Sequence, residues 1–480
     1  MKPRHRWMGL MLLGVLAMTP LGCGDDNDKT PAPEPTARIR VVHASPDAPA
    51  VDVYARGVAT PLFADVEYGE ATQYATVPAG DYVIDLRATG ASATSAPAFS
   101  TGSLTLTDGA SITALASGLL GSTDGDDRFR VLALADAFGA DGAGQARVRI
   151  VHAGADAPAV AIDVGDDGSP EVASLGRFAD TGEAGVTLPA GQSLQVGIRL
   201  TEADGGARVT AFTIPALGSG ASYYVVATGL LAELPRDAAG FGLLAVDEGG
   251  SAALVRQNPV VFALHAGPDA PAVDLGAGGA ALATDLSFGN LSAPIQVAPG
   301  SYPIDVYAAG GLEAGDAPVA TVTTPALAAG ERYLAIATGF LAPAEGENGF
   351  GIVFERDGFD AAGSDALVRV VHASPDAPAV DVGVVTDGVF GAVEPLSGLA
   401  FGDASDEGGV TLAAGTYTLG VAPAGTTTAV ATFGVPLASG QKVFGVAAGA
   451  LGGGEGRESF RLIAIDTAIF PWAAASLLPN

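Results

Sequence analysis

Val42-His43-Ala44-Ser45-Pro46-Asp47-Ala48-Pro49-Ala50-Val51-Asp52-Val53 is the phrase on which this chain is built. It returns as Val151-His152-Ala153-Gly154-Ala155-Asp156-Ala157-Pro158-Ala159-Val160 and as Leu264-His265-Ala266-Gly267-Pro268-Asp269-Ala270-Pro271-Ala272-Val273-Asp274. Its last copy is Val371-His372-Ala373-Ser374-Pro375-Asp376-Ala377-Pro378-Ala379-Val380-Asp381-Val382. The four histidines stand 109, 113 and 107 residues apart, too far for a solenoid repeat and suited to one small domain per copy.

Other parts recur in the same order. A turn such as Val77-Pro78-Ala79-Gly80-Asp81-Tyr82 comes back as Leu188-Pro189-Ala190-Gly191, Val297-Ala298-Pro299-Gly300-Ser301-Tyr302 and Leu412-Ala413-Ala414-Gly415-Thr416-Tyr417. Apolar runs follow, among them Tyr223–Leu230 and Tyr333–Phe340, and each unit closes on one beginning at Phe129, Phe241, Phe350 or Phe460. Short β-branched runs between Gly, Pro and Asp, without a long 3.6-residue period, predict all-β domains of seven or eight strands. That count suits tandem β-sandwiches, immunoglobulin-like or similar, better than a closed barrel. A propeller blade would need less than half of each unit. The expected boundaries are 37–145, 146–257, 258–364 and 365–480.

Strand parity places Ile39, Val41 and His43 on one face and Arg38, Arg40 and Val42 on the other; Val148, Ile150 and His152 and then Val368, Val370 and His372 repeat the pattern. Each histidine is therefore expected to point inward beside a proline-fixed turn. There it can donate to one carbonyl and accept from one N–H. Asp47, Asp156, Asp269 and Asp376 are expected to cap that turn through its own backbone. Asp52, Asp274 and Asp381 share a later position, which Asp163 takes in unit two after a one-residue insertion. A Ser-His-Asp relay through Ser45 and Asp52 finds poor support, because Gly154 and Gly267 replace the serine in the middle units.

The amino terminus reads as an export signal. Lys2, Arg4, His5 and Arg6 precede an apolar stretch, Met8 to Met18, that is too short to span a bilayer, and Pro20-Leu21-Gly22-Cys23 follows. This resembles a bacterial lipoprotein signal, which implies cleavage after residue 22 and a diacylglyceryl group on Cys23. Residues 23–36 then form a polar tether. Cys23 is the only cysteine, so disulfides, thiolate metal sites and cysteine nucleophiles are excluded from the folded body. A net charge of −30 excludes nucleic acid as a partner. No cofactor is expected. Calcium is the one ion for which the acidic loops offer ligands: Asp124, Asp126 and Asp127; Asp163, Asp166 and Asp167; and Asp403, Asp406 and Glu407. None has EF-hand spacing. At the carboxyl end, Trp472 is expected to lie over the open edge of unit four.

The His-Ala-Ser-Pro-Asp-Ala-Pro-Ala-Val-Asp-Val phrase, with the later Ala-Gly-x-Tyr turn, resembles the bacterial family called domain of unknown function 4397. Units one and four match it best. The resemblance implies exported β-sandwich modules and carries no catalytic residue across. The expected function is thus non-catalytic: an envelope lipoprotein, on the outer membrane or cell surface, displaying four modules to a polysaccharide, a surface protein or the envelope itself. The alternative is an extracellular ion-dependent hydrolase using one divergent unit.

Overall fold

In a computed structural model, which describes residues 33–140 and 142–480, nearly all regular structure is strand. Helix among the described residues is confined to Gly311–Ala314 and two 3-10 turns, Glu202–Asp204 and Glu394–Leu396. The signal region and Cys23 lie outside the described residues.

Unit one contains β1 Thr36–His43, β2 Val51–Ala55, β3 Phe63–Val66, β4 Ala75–Pro78, β5 Gly80–Tyr82, β6 Ile84–Ala88, β7 Phe99–Ser100, β8 Leu104–Leu106, β9 Ser111–Ser117 and β10 Arg130–Ala135. One sheet runs β10-β9-β1-β4 and the other β3-β2-β6-β7, with β5 and β8 paired at the rim. The first strand, β1, and the penultimate one, β9, pair in parallel, setting Val41 beside Ala114 and His43 beside Ala116. Ile39, Val41, Val53, Ile84 and Leu86 meet between the sheets. The same two-sheet plan recurs in strands drawn from residues 145–256, 260–356 and 366–477. The tyrosine of the repeated turn closes it in units one, three and four: the hydroxyls of Tyr82, Tyr302 and Tyr417 donate to the carbonyls of Pro78, Ala298 and Ala413 at 2.7–2.8 Å.

The first sheet of each unit is buried on both faces. Val42, Ala44 and Leu115 of unit one pack against Val151, Ala153, Val226 and Leu244 of unit two in a shared core. Leu264, Ala266 and Ile336 of unit three pack in the same way against Val371, Ala373 and Val446 of unit four. Equivalent positions meet one another, the arrangement of a two-fold interface. The face opposite each histidine is therefore an inter-unit core. Arg40, 1% exposed, lies within it, donating to Thr113 Oγ1 at 2.9 Å and to the Asp247 carbonyl at 2.6 Å, over the rings of Tyr74 and Tyr224. Tyr74 and Tyr224 both donate to Asp136 at 2.5 Å, and burial with that carboxylate pushes the Tyr74 hydroxyl up to about 12.

The two pairs touch through polar groups. Gln296 of unit three accepts from the Ala211 N–H of unit two at 3.0 Å and donates to Thr210 at 3.1 Å. Arg236 of unit two donates to the carbonyls of Asp357 and Phe359.

The tail of unit four differs from the sequence expectation. The open edge is closed by Ala473–Leu477, a fifth strand on Arg461–Asp466. Trp472, freed from that task, inserts between units three and four and is 5% exposed. Unit two gains a corresponding fifth strand, Ala252–Arg256.

Candidate functional site

The repeated phrase forms the loop that leaves β1, at one end of each sandwich. The prolines of the loop, two in units one, three and four and Pro158 alone in unit two, cannot donate to a ladder, and the histidine supplies what they leave open. Nε2 of His43, His152, His265 and His372 lies 3.2, 2.8, 3.0 and 3.0 Å from the carbonyls of Pro49, Pro158, Pro271 and Pro378. In units one and four the N–H of Ser45 and Ser374 donates to Nδ1 at 3.4 and 3.3 Å. In units two and three, where glycine replaces serine, Nδ1 of His152 and His265 has no partner among the described residues. Burial holds all four imidazoles below their ordinary range and so uncharged at neutral pH.

The aspartate of the phrase works differently from a local turn cap. Asp47 accepts from the N–H groups of Leu120 and Gly121, both at 2.8 Å, in the loop after β9. Asp156 holds Leu231 and Ala232, Asp269 holds Leu341 and Ala342, and Asp376 holds Leu451 and Gly452, all at 2.8–3.1 Å. Ser45 and Ser374 reinforce this clasp, donating to the carbonyls of Gly118 and Gly449 at 2.6 Å. Those glycines and their counterparts Gly229 and Gly339 have φ between +80° and +91°, and a Cβ there would come within 2.1–2.5 Å of a carbonyl on the facing chain. The signal was present in the sequence as an invariant glycine at the end of each Tyr223–Leu230-like run, but strand periodicity alone does not single it out.

The later aspartates join loops within the second sheet. Asp52 accepts from Asp65 and Gly90, Asp274 from Asp285 and Gly310, and Asp381 from Gly398 and Gly425, at 2.7–3.0 Å. Asp163 does the same for Asp167 and Gly168 and also pairs with Arg199 at 2.7 Å. It stands 11 residues after its histidine against 9 elsewhere, so the insertion is of two residues and leaves the carboxylate on the same face.

Ser45, His43 and Asp52 are not arranged as a relay. The serine presents its backbone N–H to the imidazole, its hydroxyl is spent on Gly118, and Asp52 is spent on other loops. The acidic loops are also internally engaged. Asp124 accepts from the Asp126 N–H, Asp127 pairs with Arg177, Asp166 with Arg208, Asp403 accepts from the Ala400 N–H, and Glu407 pairs with Arg356. Among the described residues no three His, Cys, Asp or Glu side chains converge as a metal ion would need.

The family model described as Domain of unknown function (DUF4397) matches residues 37–163, 260–383 and 366–474. Each match begins at the first strand of a unit, and the bulk of unit two falls outside them. No curated protein matches the chain. Among solved structures, "The Bacillus anthracis TIE protein" is similar at 9% identity over 87% of this chain and 69% of that chain, with a TM-score of 0.14.

Proposed function

This chain belongs to the DUF4397 family, and from that premise we propose that it is a non-catalytic envelope lipoprotein whose paired β-sandwiches form a rigid display rod. The observation that carries the reading is the clasp. In every copy of the phrase the aspartate and the imidazole Nε2 are committed to backbone groups of the same unit, so the most repeated polar residues hold loops in place. Fusion of the units into two pairs further supports a structural or binding role, since it fixes the orientation of neighbouring loops. Cys23 would supply the anchor, because two or more acyl chains hold a protein stably at a bilayer where one holds it only marginally. Export places the rod outside the cytoplasm, on the outer membrane or cell surface, where its partner is an envelope polysaccharide or a surface protein.

The test is metabolic labelling of the expressed chain with an alkynyl fatty acid, beside Cys23→Ser, followed by fractionation. Label and membrane retention that vanish together in the variant are the expected result. A wild-type chain that is unlabelled and released would overturn the anchor. Co-sedimentation of the released body with envelope and exopolysaccharide fractions, with and without calcium, then tests display: no saturable binding in any fraction would remove the envelope-ligand role.

A further inference from the structure

Unit three is hollow. Units one, two and four each fill the space between their sheets with a single apolar cluster, whereas that of unit three is split into two small ones, around Leu275 and around Tyr333. Between them lies a cavity of about 370 Å³. The corresponding voids are about 40 Å³ in unit two and about 20 Å³ in unit four.

Three side chains account for the difference. Units one, two and four each close their core with an edge-on or tilted phenylalanine pair: Phe99 with Phe129, Phe212 with Phe241 and Phe433 with Phe460, at 4.9–6.0 Å. Unit three keeps the second member as Phe350. Strand register puts Val322 opposite Ile304, where Phe212 stands opposite Val196 and Phe433 opposite Leu419. Ala320 takes the place that Phe99 fills in unit one, opposite Val306 as Phe99 is opposite Leu86, whereas units two and four hold Thr210 and Ala431 there and carry their phenylalanine two residues on. Ala263 occupies the place of Val41, Ile150 and Val370, each next to the strand that ends in the conserved glycine.

The same changes open a door. In unit four a shallow void of about 40 Å³ at the clasp end, rimmed by Val430, Leu451 and Phe460, is separate from the core void lined by Phe433. The equivalent rim in unit three, Val319, Leu341 and Phe350, is continuous with the interior. Val319 and Leu341 are 63% and 49% exposed, so the entrance is apolar and reaches solvent.

We propose that unit three is a binding site for one uncharged, largely hydrocarbon molecule carrying at most a single hydroxyl group, admitted between Val319 and Leu341. The volume lies within the ~300–1,000 Å³ of small-molecule sites. It is more than twice the ~150 Å³ that holds one benzene ring and stays free of water when unfilled. The wall is almost wholly aliphatic and aromatic and holds no carboxylate, lysine or arginine, which excludes a charged ligand from the interior. His265, 2% exposed, is in the wall with Nε2 engaged by Pro271 and Nδ1 unpartnered. As a neutral imidazole it offers a lone pair to a ligand hydroxyl. His152 shares the unpartnered Nδ1 but the void beside it is only about 40 Å³, so the volume and not the imidazole sets unit three apart. The site requires neither the lipid anchor nor an envelope partner.

The test is fluorescence titration of the purified full chain with N-phenyl-1-naphthylamine, a neutral apolar probe. One saturable site per chain is expected, weakened at least tenfold by Val322→Phe, which restores the phenylalanine of the sister units. Ala335→Leu fills the same space from the opposite sheet and decides the matter if the first variant fails to fold. Absence of saturable binding by the wild type, or binding undiminished in a folded filled variant, would overturn the proposal. Because titration reads the body alone, its failure leaves the anchor reading intact, and an unlabelled Cys23 leaves the cavity intact.

Discussion

Trp472 lies flat on Phe262, with ring centroids 4.3 Å apart and planes inclined by 12°. One residue comes from the last segment of unit four and the other from the first strand of unit three, so the stack joins the two domains beside a second aromatic contact, Phe359 of unit three against Phe444 of unit four at 5.0 Å. Phe444 and Phe470 border the same cluster. Trp472→Ala should destabilise the three–four pair by ~3–5 kcal/mol, the range for removing a buried aromatic. Trp472→Phe should cost about 1.5 kcal/mol or less, since the indole N–H has no partner to lose. The only other tryptophan is Trp7, outside the described residues, so fluorescence of a chain of residues 24–480 reports this interface directly during urea unfolding.

Asp376 clamps Leu451 and Gly452 from about 75 residues away. Asp376→Ala leaves both N–H groups without their charged acceptor, and a cost of ~1–3 kcal/mol is expected. Asp376→Asn keeps an oxygen for one of them and should cost less. Hydrogen exchange locates the effect: the amides of Leu451 and Gly452 should lose protection while those of Lys442–Ala448 keep theirs. Uniform loss across unit four would show instead that the clasp is part of the global fold.

How much of this was legible in the chain depends on the range of each interaction. Parity along Val148–His152 places His152 inward because a pleated strand alternates its side chains, whatever surrounds it. The same parity puts Val42 and Val151 on the opposite face, and alternation cannot say that an apolar second face meets another domain. The partner of Asp47 lies beyond eight intervening strands, with no local mark on the sequence. The hollow of unit three was readable by aligning the units on their prolines: Phe212 and Phe433 stand three residues before Pro215 and Pro436, and Val322 three before Pro325. Reading the volume from that change still requires the facing strands.

Acid should weaken the fold in a window set by the buried histidines. Native imidazoles are held below the ordinary value and stay neutral, whereas in the unfolded chain they take up protons as pH falls through about 6.5. The unfolded state then binds more protons, so stability is fully present above pH ~6.5 and falls as pH drops from there toward the lowered native values. Asp163 and Asp180, held down by Arg199 and Arg149 against the upward pull of burial, add a loss that begins only near pH 4. Asp357, pushed up by burial, acts in the opposite direction. Melting temperatures between pH 7.5 and 5 isolate the first effect, and His372→Gln should flatten the slope. An unchanged slope in that folded variant would assign the acid sensitivity elsewhere.

Filling unit three should stabilise it even without a ligand. At ~24 cal/mol per Å³, an empty volume of about 370 Å³ corresponds to a cost on the order of 9 kcal/mol. That is comparable with the ~5–15 kcal/mol that holds a whole domain together, so unit three alone is expected to be the first to melt. Its partner in the three–four interface and a bound apolar molecule both shift the balance back, the second by mass action. Val322→Phe should therefore raise the lowest calorimetric transition, whereas Phe433→Ala, which hollows unit four in the same place, should lower the transition of that unit by ~3–5 kcal/mol. N-phenyl-1-naphthylamine should raise the transition of the wild type and leave that of Val322→Phe where it is. A wild-type chain whose lowest transition ignores both the probe and the added phenylalanine would mean that unit three is stabilised by its neighbours alone.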